Sequence, residues 1–141
     1  MIERFTNWTI LYYGGNIRYA QFPITELTKD LTRVKPTFLS MVPRLLNKFY
    51  PICKEMIETE KTNTKVKELF GGKVRLILTG GAPTGTAVLY FFKSALECDV
   101  REGYGQTETT AVAFVMHSGD TNYGHVGGPN KAVEFKLVDV P

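Results

Sequence analysis

The chain is poor in cysteine, carries no block of like charge and has no long apolar run, and each shortage removes a class of protein. Only Cys53 and Cys98 occur among 141 residues, without a CxxC pair or a His/Cys cluster. That excludes a disulfide scaffold and a structural zinc site, and it points to a reducing compartment. The 17 Lys and Arg against 14 Asp and Glu leave a net charge of +3. Spread along the chain, this is too weak a field to argue for nucleic acid or an anionic membrane as partner. Apolar runs such as Thr9 to Tyr13 and Ala87 to Phe92 fall far short of the roughly 18 residues that span a bilayer. The opening Met-Ile-Glu-Arg-Phe lacks the charged, then apolar, then small-residue order of a signal peptide. There is no GxSxG elbow and no Cys/His pair at a plausible site, two usual marks of a protein nucleophile. Internal repeats and low-complexity segments are also missing.

What is present suits one globular domain: 43% of residues are hydrophobic and 22% charged. A chain of this length folding alone would bury roughly two-thirds of its unfolded surface. Both ends read as interior to a larger unit. The first residues are already in a helical pattern, and Glu134 to Pro141 break off just after a strand.

The pattern of apolar residues predicts the elements. Ile2, Phe5, Trp8 (or Thr9) and Tyr12 recur at helical spacing up to Gly14-Gly15, which end a helix at little cost. Residues 16–21 are short and part aromatic, as in a strand. Thr25 suits an N-cap for a helix over Glu26 to Arg33, which stops ahead of Pro36. Thr37 to Val42 reads as a strand, and Pro43 suits the first turn of a helix over Arg44 to about Glu58. That helix would show Leu45, Phe49, Ile52, Cys53, Met56 and Ile57 on one face, with a kink or break at Pro51. Thr59 to Lys67 reads as a solvated loop. Val74 to Leu78 and Asp99 to Glu102 read as strands, with Thr79 to Gly85 a turn and Thr86 to Leu96 a helix between them. The apolar face of that helix would be Ala87, Val88, Phe91, Phe92, Ala95 and Leu96. Strand, helix, strand at this length is a βαβ unit, so the expected class is α/β, a parallel sheet with covering helices. Loops 79–85 and 103–110 would then leave the carboxyl ends of neighbouring strands, where ligands bind in such sheets.

Two familiar readings of these loops fail on single residues. Gly80 and Gly85 are spaced as in a phosphate-binding P-loop, but Thr86 follows Gly85 directly and the lysine is missing. Gly103-Tyr-Gly105 begins like a dinucleotide fingerprint, yet Glu108 stands at its third glycine, where a carboxylate repels a pyrophosphate unless a metal intervenes. What loop 103–110 offers is mixed chemistry. The glycines flanking Tyr104 let backbone approach a ligand, and the phenol can stack on a planar base. Gln106, Thr107, Thr109 and Thr110 can hydrogen-bond phosphate oxygens. Glu108 is a hard oxygen ligand of the kind magnesium takes together with substrate phosphates. As plain structure, the same residues make a polar turn and a helix capped by Thr107, with Glu108 favouring its start.

Order and spacing add to this. Glu102-Gly-Tyr-Gly-Gln-Thr-Glu-Thr-Thr110 resembles the YGxTE loop of adenylate-forming enzymes, Thr79-Gly-Gly-Ala-Pro83 resembles their adenine-side loop, and Gly124-His-Val-Gly-Gly-Pro129 resembles their GxVGxP segment. The VPRLLN at Val42 to Asn47 and the EGYGQTE at Glu102 to Glu108 are similar to long-chain acyl-CoA synthetases. The resemblance covers nearly the whole chain, with residues 59–67 shorter than in many members. It implies a partial AMP-binding domain over 1–141, incomplete at both ends, with no separate second domain, cut from the centre of the large N-terminal domain.

The resemblance further implies an acid–thiol ligase that joins a fatty acid to AMP and then transfers the acyl group to coenzyme A. ATP, magnesium and coenzyme A are the cofactors and co-substrates it implies, and no nucleic acid is expected. By position, Tyr104 would stack on adenine, and backbone groups of Gly81, Ala82, Glu102 and Gly103 would line the purine pocket, with Pro83, Gly105 and Gln106 beside them. Thr107 would bond the α-phosphate region and Glu108 would hold magnesium, making these two the catalytic pair. The helix over 86–96 would back the nucleotide loop, and Arg44 with residues 37–50 would stand near the acyl side. The location implied is intracellular and cytosol-facing, peripheral to the endoplasmic reticulum or another organelle through segments outside this chain.

Several side chains read as bland beside these. His117 and His125 are loop residues, Cys53 and Cys98 small core residues, and the Asn7-Trp-Thr9 sequon is discounted on a helix in a reducing compartment. The family's Ser/Thr/Gly-rich phosphate loop ending in lysine, its ribose-binding aspartate and its C-terminal lid lysine have no candidates here. The chain alone is therefore expected not to complete the reaction. Two other readings are compatible with the residues: an adenylating enzyme for another carboxylic acid, and a non-catalytic nucleotide-binding remnant.

Overall fold

The computed structural model describes residues 2–20 and 26–139. Helix α1 (Ile2–Tyr12) ends ahead of Gly14 as its periodicity requires, and α2 (Leu27–Val34) follows. Glu26 occupies the N-cap position of α2 without a side-chain cap, and the Thr25 expected there lies outside the described residues. Strand β1 (Phe38–Ser40) leads into α3 (Pro43–Glu60), with Pro43 in the first turn. Then come α4 (Thr64–Leu69), β2 (Leu76–Gly80), α5 (Thr86–Leu96), β3 (Asp99–Tyr104) and the short strands β4 (Phe114–Val115) and β5 (Gly128–Pro129).

The five strands form one sheet in the order β1-β2-β3-β4-β5. The first three are parallel, with Leu39 opposite Ile77 and Ile77 opposite Val100. The next pairings are antiparallel, β3 with β4 (Gly103 opposite Val115) and β4 with β5 (Val115 opposite Gly128), so β4 alone runs against the others. The sheet is thus α/β and mostly parallel, and the GxVGxP segment supplies its last strand. Helices are needed between β1, β2 and β3 because a parallel crossover cannot be made by a tight turn.

The core lies between the sheet and α3, α4 and α5. Ile77 and Val100 point into it from alternate positions of β2 and β3, while Leu76, Leu78 and Arg101 stay half-buried. Phe70 is its centre, with its ring 5.4 Å from that of Phe49 and 5.8 Å from that of Phe92, both edge-on. That is the arrangement aromatic quadrupoles prefer.

Several sequence expectations change. Residues 16–20 form no strand, having no neighbouring strand among the described residues to take their backbone groups. Residues 131–139 likewise hold none. The solvated loop expected over 59–67 is largely helical, because α3 continues to Glu60 and α4 is anchored by Val66, which with Phe70 one turn on is fully buried. The α3 helix passes through Pro51 without a break: Pro51 is exposed, where the orphaned carbonyl of Asn47 can turn to water. Its buried face is phased on Leu46, Phe49 and Cys53, and Ile52 is exposed. In α5, Leu89 takes a buried place and Ala87 is exposed.

Candidate active site

The site is built where β2 and β3 end. Gly80 stands in register with Gly103, so the loops that follow, 81–85 and 105–111, leave the sheet side by side. A side chain at Gly80 would put its Cβ 2.5 Å from the carbonyl oxygen of Gly103. Glycine is therefore what allows the two strand ends to close on one another. Gly81 turns the chain at φ +86, and the space where its Cβ would point is open. Ala82 and Pro83 are exposed, while Thr84 is buried.

Beneath the first loop lies Glu102, only 5% exposed. Its Oε1 accepts the Thr84 N–H at 2.7 Å. The Thr79 and Thr84 hydroxyls are 3.5 Å apart beside it. The backbone of Glu102 is engaged elsewhere: its N–H donates to Met116 Sδ at 3.3 Å, and its carbonyl accepts the Met116 N–H at 3.1 Å. This side-chain role was not read from the sequence, although a signal exists. Glu102 shares strand parity with Val100, so it had to face the core.

The second loop is held by its own bonds. The Gln106 carbonyl accepts N–H groups from Thr109 and Ala111 at 3.3 and 3.0 Å, and the Gln106 N–H donates to Thr109 Oγ1 at 3.0 Å. Thr110 and Ala111 are both left-handed, at φ 55 and 89. Backbone strain of this kind in non-glycine residues persists only where the surroundings impose it, and it clusters at functional sites. The loop folds so tightly that a Cβ on Gly105 would lie 1.6 Å from the Ala111 carbonyl oxygen. Residues 107–110 form a turn, not a helix capped by Thr107, because the chain reverses at once into β4.

Tyr104 is 44% exposed and leans on Phe114 at 6.2 Å between ring centroids. Its hydroxyl accepts a hydrogen bond from Gln106 Nε2. Thr107 and Glu108 lie exposed on the turn, and neither side chain is engaged by another described residue. Among the described residues no three His, Cys, Asp or Glu side chains converge on a metal position. The donor chemistry at hand is one carboxylate beside one hydroxyl. That fits magnesium held jointly with substrate phosphates and does not fit an all-protein cage.

The remaining candidates lie elsewhere. His117 is exposed, and His125 accepts the Gly127 N–H through Nδ1 at 2.9 Å, with Nε2 3.4 Å from Asp120. Burial pushes the thiols of Cys53 and Cys98 up to about 11, leaving both inert. Arg44 is exposed, and Leu46 and Phe49 of the segment assigned to the acyl side belong to the core.

A family of AMP-binding enzymes matches residues 1–141, and the chain belongs to it. It is 37% identical to long-chain-fatty-acid–CoA ligase 5 of Rattus norvegicus over 99% of its own length and 25% of that protein's. To long-chain-fatty-acid–CoA ligase 1 of Homo sapiens it is 35% identical over 99% of its length and 24% of that protein's. The chain thus spans about a quarter of the length of the curated relatives it matches. In fold it is similar to the crystal structure of the anthranilate CoA ligase AuaEII in complex with anthranoyl-AMP, with a TM-score of 0.68 and 22% identity over 87% of this chain and 22% of that one. The resemblance read from the motifs and the α/β fold are both borne out.

Proposed function

We propose that this chain forms the adenylate-binding part of a long-chain fatty acid–CoA ligase, and that the reaction needs residues beyond these 141. The observation that carries the reading is the register of Gly80 with Gly103, which sets loops 81–85 and 105–111 beside one another at the carboxyl ends of parallel strands. In the full reaction a fatty acid carboxylate oxygen attacks the α-phosphorus of ATP, and the bond to the β-phosphate oxygen breaks to release pyrophosphate. The thiol of coenzyme A, losing its proton, then attacks the acyl carbonyl and AMP leaves. Both steps need alignment and charge neutralisation, not a protein nucleophile.

Tyr104 supplies a face for the adenine, and the backbone of Gly81, Ala82, Pro83 and Gly103 supplies the edge of the slot. Gly105 and Gln106 hold the turn that presents Thr107 to the α-phosphate and Glu108 to magnesium. Bound magnesium would screen the phosphate charges. Work on fatty acids at a cytosol-facing membrane surface, with attachment through other segments, belongs to the same reading; no helix among the described residues is long and apolar enough to cross a membrane.

The test is titration of the chain with AMP and with ATP plus magnesium, read by NMR at loop 103–110. Tyr104→Ala should weaken AMP by about tenfold, the usual worth of a base–aromatic stack. Glu108→Gln should remove the magnesium-dependent part of ATP binding. An AMP affinity indifferent to Tyr104→Ala would refute the slot. Acyl-CoA formed by the purified chain alone would refute the need for further residues.

A further inference from the structure

The 81–85 loop has few means of holding its height over the sheet. Its glycines carry no side chain, Ala82 and Pro83 are exposed, and the one buried anchor is Thr84. The Thr84 N–H ends on the buried carboxylate of Glu102 at 2.7 Å. No cation among the described residues pairs with that carboxylate. The amide it accepts stands one residue ahead of Gly85, the N-cap of α5, so the contact also fixes where that helix begins.

Glu102 also immediately precedes Gly103 and Tyr104. Its side chain therefore couples the two walls of the adenine slot, the backbone of residues 81–83 and the ring of Tyr104. We propose that Glu102 is a positioning residue, whose side-chain length sets the separation of these walls through the Thr84 amide. The proposal rests on the adenylate-site reading given above.

Two variants separate reach from charge. Glu102→Gln keeps the reach and an acceptor oxygen but loses the charge, whereas Glu102→Asp keeps the charge and draws it back by one methylene. In the 141-residue chain, amide exchange at Thr84 and AMP affinity are read by NMR. Glu102→Asp should speed Thr84 exchange and weaken AMP, each by about tenfold or more, while Glu102→Gln should change both by less than about threefold. AMP binding kept by Asp and lost by Gln would overturn the proposal in favour of a charge effect. Loss of AMP in both with Thr84 still protected would overturn it in favour of direct contact. If Glu102→Asp does not fold, Glu102→Gln decides alone: slow Thr84 exchange with AMP retained supports the clamp, and fast exchange refutes it. An unsubstituted chain that binds no AMP, while Asp alone frees the Thr84 amide, would uphold the clamp and remove the adenylate reading.

Discussion

A methyl group costs very different amounts at the two loop glycines. At Gly105 it would collide with the Ala111 carbonyl oxygen at 1.6 Å, and the backbone there cannot yield. At Gly81 it would enter open space and pay only for the left-handed backbone at φ +86, about 1–2 kcal/mol. Gly105→Ala should therefore cost about 3 kcal/mol or more, in the range of the severe single substitutions, and Gly81→Ala clearly less, as read by urea denaturation. Equal losses would contradict the geometry. The buried thiols make a second prediction. Cys53 and Cys98 rise from an ordinary 9.0 to about 11 through burial, aided at Cys98 by Asp99. The folded state holds these protons more tightly than the unfolded one, so the stability they contribute is full below about pH 9 and drains away as pH climbs to about 11. The loss should be on the order of 2 kcal/mol per thiol, and a flat stability profile across that window would oppose it. The motif residues were legible because spacing carries them, but the tight fit of Gly105 against the Ala111 carbonyl was not, since it depends on how the loop folds back. The Glu102 clamp was not, because the motif drew attention to its backbone, while strand parity decides where its carboxylate goes.

Helix α3 shows where periodicity stops being informative. Leu45 and Leu46 are chemically alike and adjacent, so the apolar pattern alone cannot say which of them is inside. Packing against Phe70 and α5 decides it: Leu46 is fully buried, Leu45 only partly, and Ile52 is 43% exposed. Leu46→Ala should accordingly cost about 2–5 kcal/mol, and Ile52→Ala well under half of that, in parallel denaturation curves. The reverse order would mean that the helix is rotated from the orientation described. The α4 helix was illegible for a related reason. Its sequence is polar and charged apart from Val66 and Leu69, and a single buried residue per turn leaves no stripe to read. By contrast, α5 is apolar over most of its length, and its bounds at Thr86 and Leu96 were readable directly.

At the scale of the whole molecule, the surface is uneven. Phe5, Trp8, Leu11 and Tyr12 of α1 are 39%, 73%, 57% and 84% exposed, and Tyr13 and Tyr19 add to the same region. Contiguous apolar surface of this kind is unusual on a monomer and favours association. Among the described residues, β1 also has only β2 beside it, which leaves its other edge open to pairing. The alignment to the rat ligase runs over 170 positions against a chain of 141, so this chain also lacks residues that the relative carries within the matched span. The sequence signalled the apolar stripe of α1 by its spacing but not its exposure, since a stripe specifies a face to be covered and not what covers it. Because Trp8 is the sole tryptophan and is 73% exposed, its fluorescence reports on that face alone. In dilute solution its emission should be that of hydrated indole and readily quenched by iodide. On concentration it should shift to the blue as sedimentation reveals larger species, and Tyr12→Ser with Leu11→Ser should suppress both changes. A chain that stays monomeric at every concentration, with Trp8 still open to iodide, would show that the exposed face of α1 is not sticky enough to drive association.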